Sequence, residues 1–350
     1  MMTASYDPLD DVLDALASAG PALANGNFNH APMVAEALCA LGRPEAVVPW
    51  IRRYRPRLAP REAVGAPIAA AHWREDFGRR ERFAAWSEFF AASLAGVGWR
   101  DVLDLWAARL APGLAAASTH GVIRVGHAAR ALSAGETPPR RRELADALAS
   151  WAATYAELPA ALGGERALPP RAAIAQVAIV PPERRRPGNI TSALARLAEF
   201  PEFAPAIDLA ALDGDIAARL AELSELFARV YLANACSIPT TIAFIHGVTS
   251  LTALGNIVPH VSEATARALL RYGWQAGCGL YACFGGDTAV ATQIPAVADD
   301  AEELIDRAVA NGDEHAIKFA EACLARHRAM PSPAYPAAVA HALATIARPA

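Results

Sequence analysis

Apolar residues recur along this chain at three- and four-residue spacings, the period that gathers side chains on one face of a helix. Ala31 to Leu41 is apolar on one face and stops at Gly42, and Arg43-Pro44 opens a further helix through Val48, Trp50 and Ile51 to Tyr54. Asp7-Pro8 predicts a helix to about Ala19, with the aspartate as N-cap and the proline at the first helical position. The same pattern predicts helices over 80–95, 99–116, 118–133, 140–156, 189–199, 213–235, 239–256, 262–282, 299–310, 313–328 and 334–347. Ser262, Asp299 and Asp313 read as caps. Strand signals are scarce. Ala173 to Val180 is the best candidate, and the prolines after it confine it to an edge or an extended loop. The expected class is all-α, an irregular multi-helix array around a buried pocket. One domain over 1–350 is expected, with a Pro/Gly/Arg-rich excursion at about 158–189 that would alternatively serve as a linker.

Composition narrows the picture. More than half of the 350 residues are hydrophobic, and β-branched and aromatic residues are sparse, which favours helix over sheet. A net charge of −4 with no basic block or basic–aromatic stripe gives no reason to expect nucleic acid as a partner. Arg184-Arg185-Arg186, bracketed by prolines, reads as a solvated loop. The start of the chain carries neither a basic region nor an apolar core of the kind a signal peptide needs. Five cysteines form no C-x-x-C pair, so reduced, mostly buried thiols in a cytoplasmic protein are expected. From Val230 to Ser262 no charged residue occurs, a length that could span a bilayer. Pro239, Pro259, two asparagines and His246 interrupt it, and the buried centre of a soluble helical protein is the better reading, with no membrane partner.

Two features carry chemistry. Lys318 is the only lysine, and it follows His315 by three residues, so the two share a helix face. A buried lysine can lose its proton where arginine cannot. Its neutral amine can then act as base or nucleophile, or take up carbon dioxide to become a carbamate, an oxygen ligand for a metal. The plainer reading is a chance lysine on a helix surface. The second feature is the histidines. His30, His120, His246 and His315 fall where a solvated side chain is not expected, and Asn29, Gly121 and Gly247 beside three of them could leave room for approach to one centre. His120, Arg124 and His127 fall on one helix face, which makes His127 a reserve metal ligand or a supporting residue. Any one such histidine is more often a core side chain with a hydrogen-bond partner. Histidines plus an oxygen donor without paired cysteines suit iron, zinc, copper or nickel. No phosphate-binding loop, nucleophile elbow or H-E-x-x-H helix is present. Glu314 and Glu321 only partly mimic a carboxylate-bridged site.

Four stretches in order resemble the questin oxidase family, enzymes of oxidative ring opening of anthraquinones and related aromatic polyketides. They are Asn29-His30 ahead of a helix ending in Leu41-Gly42, His120-Gly121-Val122-Ile123-Arg124, His246-Gly247-Val248-Thr249-Ser250, and Asp313-Glu314-His315-Ala316-Ile317-Lys318. The resemblance runs from about residue 25 to 330. It implies a largely helical, non-haem Fe(II) oxygenase using O2. His30, His120, His246 and His315 would be the nitrogen ligands and Lys318, carboxylated by CO2, the oxygen ligand. The chain departs from the family pattern near Met33 and at Arg124, positions that bear on the substrate. Arg124 would steady a phenolate or quinone oxygen, or form a structural salt bridge. Trp50, Trp86, Trp106 and Phe244 would shape the cavity, or be plain core. The chemistry would be a Baeyer–Villiger-type monooxygenation with NADPH as external reductant, or a dioxygenase cleavage without one. The rival readings are a metal hydrolase with a carbamylated lysine and a helical binding protein without chemistry.

Overall fold

The computed structural model describes residues 5–163 and 167–349. It is all-α apart from one small sheet, as the periodicity predicts. Seven helices frame the site: α1 (Ala31–Ala40), α2 (His120–Ala134), α3 (Pro138–Ala153), α4 (Ile216–Asn234), α5 (Ile238–Ile257), α6 (Glu263–Phe284) and α7 (Glu314–Ala329). α5 is the axis of the array. It packs on α2, α4, α6 and α7, and α1 lies against α2 and α7.

Local chemistry sets where these helices begin. Ser237 starts α5 with a capping box to Thr240, with Pro239 just inside the first turn. Ser262 caps α6, and Asp313 caps α7 through the amides of His315 and Ala316. The cap expected at Asp299 is one residue later, where Asp300 forms a capping box with Glu303. The first helix is shorter than its pattern suggests: it spans Leu9–Leu16 and has no side-chain cap bond, so Asp7 does not cap it. Ile238–His260 is long and apolar enough to cross a membrane by length and composition, and most of it is buried inside the fold.

Ala173 to Val180 is not a strand. Its first residues close the short helix Pro170–Ile174, and the rest runs irregularly. The sheet lies elsewhere: β1 (Ala19–Leu23) pairs antiparallel with β2 (Leu58–Pro60). These strands are too short to declare themselves by alternation. They tie the chain ahead of α1 to the chain after Tyr54.

α2 owes its depth to glycine. A Cβ on Gly126 would meet Ala253 of α5 at 2.6 Å, and one on Gly121 would meet Trp151 of α3 at 2.8 Å. α2 can approach α5 and α3 this closely only because those side chains are missing. Gly247 needs no such room, since a Cβ there would find ordinary contacts at 3.6 Å and beyond. The five cysteines are free, with Cys39, Cys278, Cys283 and Cys323 buried and Cys236 exposed.

Candidate metal centre

Four chain segments bring four imidazoles to one place. His30 stands immediately before α1, in a loop that Asn29 anchors by accepting from Ala31 N–H at 2.9 Å and donating to the Gly20 carbonyl at 2.9 Å. His120 is the first residue of α2, His246 lies mid-way along α5 and His315 in the first turn of α7. The Nε2 atoms of His30 and His120 are 2.8 Å apart, and those of His120 and His246 3.3 Å apart. The ring centroid of His315 lies 4.9 Å from that of His30 and 5.6 Å from that of His246. Ligand atoms of His30, His120 and His315 all fall within 4.8 Å of one another.

The outer ring nitrogens fix the tautomers. Nδ1 of His120 faces the Ala117 carbonyl at 2.6 Å, and Nδ1 of His246 faces the Ile242 carbonyl at 2.7 Å. A carbonyl only accepts, so each Nδ1 carries the proton. Burial pushes both rings well below the ordinary histidine range, with His246 beside His120 and His315 beside His246 adding to the effect. Both are therefore neutral at pH 7, and both Nε2 atoms present a lone pair. Two lone pairs facing at 3.3 Å share no proton. That arrangement repels unless a cation lies between them. Burial, then the charge of Lys318, lowers His30 likewise. Its Nδ1 faces Tyr54 Oη at 3.5 Å and Glu314 Oε1 at 3.9 Å. His315 Nδ1 lies 3.4 Å from Asp313 Oδ1. Every outer nitrogen thus has an oxygen near it, the arrangement that orients metal-bound histidines.

Lys318 is 2% exposed, one turn beyond His315. Burial lowers its amine to about 7 against the pull of Glu314 and Asp313. Its charge is felt by His30, His120 and His246, which places it beside the cluster. Glu314, the nearby carboxylate, is held by Arg57 at 2.9 and 3.2 Å. Sequence reasoning missed Tyr54 and Arg57, which carry no local signal; only the fold brings them to His30 and Glu314.

Two expected residues face elsewhere. His127 turns its Nδ1 to Glu36 Oε2 at 2.6 Å, in a buried network where Arg130 bridges Glu36 and Glu321. Arg124 forms the salt bridge: it holds Glu143 at 2.6 and 2.8 Å and Ser150 at 3.0 Å, and does not line the cavity. Although His120, Arg124 and His127 share a face, each residue advances about 1.5 Å along the axis. The second and third therefore sit about 6 and 10 Å further in. Trp50, Trp86, Trp106 and Phe244 are core, absent from the cavity wall. The remaining histidines, His72, His260, His327 and His341, also lie away from it.

The four imidazoles open on a cavity of about 700 Å³. Phe28 stacks on the His120 ring at 4.6 Å between centroids, and Phe83, Phe284, Ile190 and Ile242 add apolar wall. Hydroxyls of Ser118, Ser150, Thr154 and Thr191 add polar points, with Ser118 and Thr191 bonded to each other at 3.0 Å, and Glu62, Arg80 and Glu81 bring charge to the same wall. A flat, mostly apolar molecule with a few oxygens suits such a wall. The donor set also suits a metal: nitrogens about 2.1 Å from one ion and at right angles lie about 3 Å apart.

The model of the questin oxidase-like family matches residues 28–323, a span that holds all four histidines and Lys318. Comparison with curated proteins returns no match. The chain belongs to the questin oxidase-like family.

Proposed function

We propose that His30, His120, His246 and His315, with Lys318 as its carbamate, hold one Fe(II), and that the protein is an oxidase of an aromatic polyketide of the anthraquinone class. Family membership supports the oxidase reading and the small aromatic substrate. The observation that carries the metal is the pair of Nε2 lone pairs of His120 and His246, fixed 3.3 Å apart by carbonyls behind each ring. Bound there, ferrous iron would supply redox chemistry with dioxygen.

The chain's own residues do the rest. The amine of Lys318, lowered to about 7, is neutral in a large share of molecules at pH 7. It takes up CO2, forming one N–C bond and releasing one proton, to give a carboxylate among neutral rings. Phe28 and Phe284 flank a planar substrate, and the hydroxyls of Ser118 and Thr191 meet its oxygens. The apolar wall excludes water from the reacting face. Arg57 keeps Glu314 paired, so that carboxylate stays a neighbour of His30.

Oxygen uptake by the iron-loaded protein on a panel of anthraquinones, with and without NADPH, tests the reading. Uptake that needs both substrate and NADPH identifies a monooxygenase, and uptake with substrate alone a dioxygenase. No substrate-dependent uptake in either arm overturns the proposal.

A further inference from the structure

Beside the histidine cavity lies a second chamber of about 380 Å³, and Gly188 and Phe284 line both. Its wall carries four arginines, Arg184, Arg185, Arg186 and Arg196, against two carboxylates, Glu183 and Glu199. Arg186 pairs with the Glu199 carboxylate at 3.2 Å. Arg184 lies over the Phe200 ring at 5.0 Å and donates to the Glu199 carbonyl. The other two are different. Arg185 donates to the carbonyls of Val180 and Gly285 at 2.9 and 2.7 Å, and Arg196 to the Arg186 carbonyl at 2.9 Å. Among the described residues neither meets a carboxylate within ion-pair distance. Both residues are half-buried, so water screens their charges only in part.

We propose that this chamber binds an aromatic carboxylate, its anionic end on Arg185 and Arg196 and its ring between Phe200 and Phe284. A guanidinium fork matches a carboxylate in plane and spacing, and its hydrogen bonds are strengthened by charge. Phe200, Phe284, Val180 and Ala193 make much of the remaining wall apolar, which favours a ring over a bare inorganic anion. Glu183 and Glu199 on the same wall oppose a dianion. The volume is that of a small-ligand site. Because Phe284 walls both spaces, an occupant of the chamber rests against the side chain that borders the histidine cavity. None of this depends on a metal.

The test is calorimetric titration of the full metal-free chain with benzoate, with benzamide as the neutral isostere, and with inorganic phosphate. Benzoate is expected to bind at least tenfold more tightly than either. Arg196→Gln should weaken benzoate about tenfold, Arg196→Lys should recover only part of the loss, since an ammonium keeps the charge without the planar fork, and Arg80→Gln, on the wall of the histidine cavity, should change nothing. Equal binding of benzoate and benzamide, tighter binding of phosphate, full affinity in Arg196→Gln, a loss in Arg196→Lys as large as in Arg196→Gln, or a loss in Arg80→Gln would each overturn the assignment.

Discussion

Lys318 concentrates the chemistry of the site at one atom. Burial strips water from its ammonium, a cost that the nearby Glu314 and Asp313 only partly offset, and the amine falls to about 7. The folded state therefore holds fewer protons than the unfolded chain between about pH 7 and the ordinary lysine pKa of 10.5. Stability from this group rises with pH through that window and is lost as pH falls through 7. In CO2-free buffer, the unfolding free energy of the metal-free protein should rise by roughly 1.5 kcal/mol from pH 7 to 8.5. Denaturant titrations should show the rise in the wild type and not in Lys318→Met. An equal rise in both would assign it to another group. The neutral histidines act in the same sense at lower pH, because protonating His30, His120 or His246 buries a charge.

At the scale of the element, the turn before α2 is strained where the site needs it. Ala117, Ser118 and Thr119 have φ of 47°, 58° and 66°, three consecutive non-glycine residues in the left-handed region. Each costs on the order of 1–2 kcal/mol there. Among the described residues the buried Thr119 hydroxyl also has no hydrogen-bond partner. In return, the Ala117 carbonyl is aimed at His120 Nδ1, which turns Nε2 to the cluster. Ser118→Gly relieves strain, so thermal unfolding should show up to about 1 kcal/mol of added stability. Iron affinity, measured by competition with a chelator, should fall about tenfold as the carbonyl loses its fixed aim. Unchanged affinity would make the turn irrelevant to the histidine. Gly126→Ala asks whether close helix approach matters. Its methyl would strike Ala253 of α5, and a loss of about 1–3 kcal/mol with weakened metal binding is expected.

Over the whole molecule, legibility followed the range of the interaction. Helices are written locally, in apolar spacing and in caps such as Ser237, Ser262 and Asp313, so the all-α class could be read directly. β1 and β2 depend on pairing across more than thirty residues, which periodicity does not encode. His30, His120, His246 and His315 stood out because unpaired polar side chains in apolar stretches are costly. Their convergence is tertiary, as is the contact of Arg57 with Glu314. His127 shows the limit of reading a helical wheel, which ignores rise along the axis; Glu36, on another helix, claims it. The left-handed turn at 117–119 has no sequence mark, because Ala, Ser and Thr do not favour that conformation.

The most direct measurement is the metal content of the purified chain after loading with Fe(II) under bicarbonate, wild type against Lys318→Arg. Arginine stays protonated and cannot carry the carbamate. One iron per chain in the wild type and less than about a tenth of that in the variant is the expected result. Two zinc ions per chain would favour a hydrolase, no metal would leave a binding protein, and equal iron in both proteins would contradict the role given to Lys318.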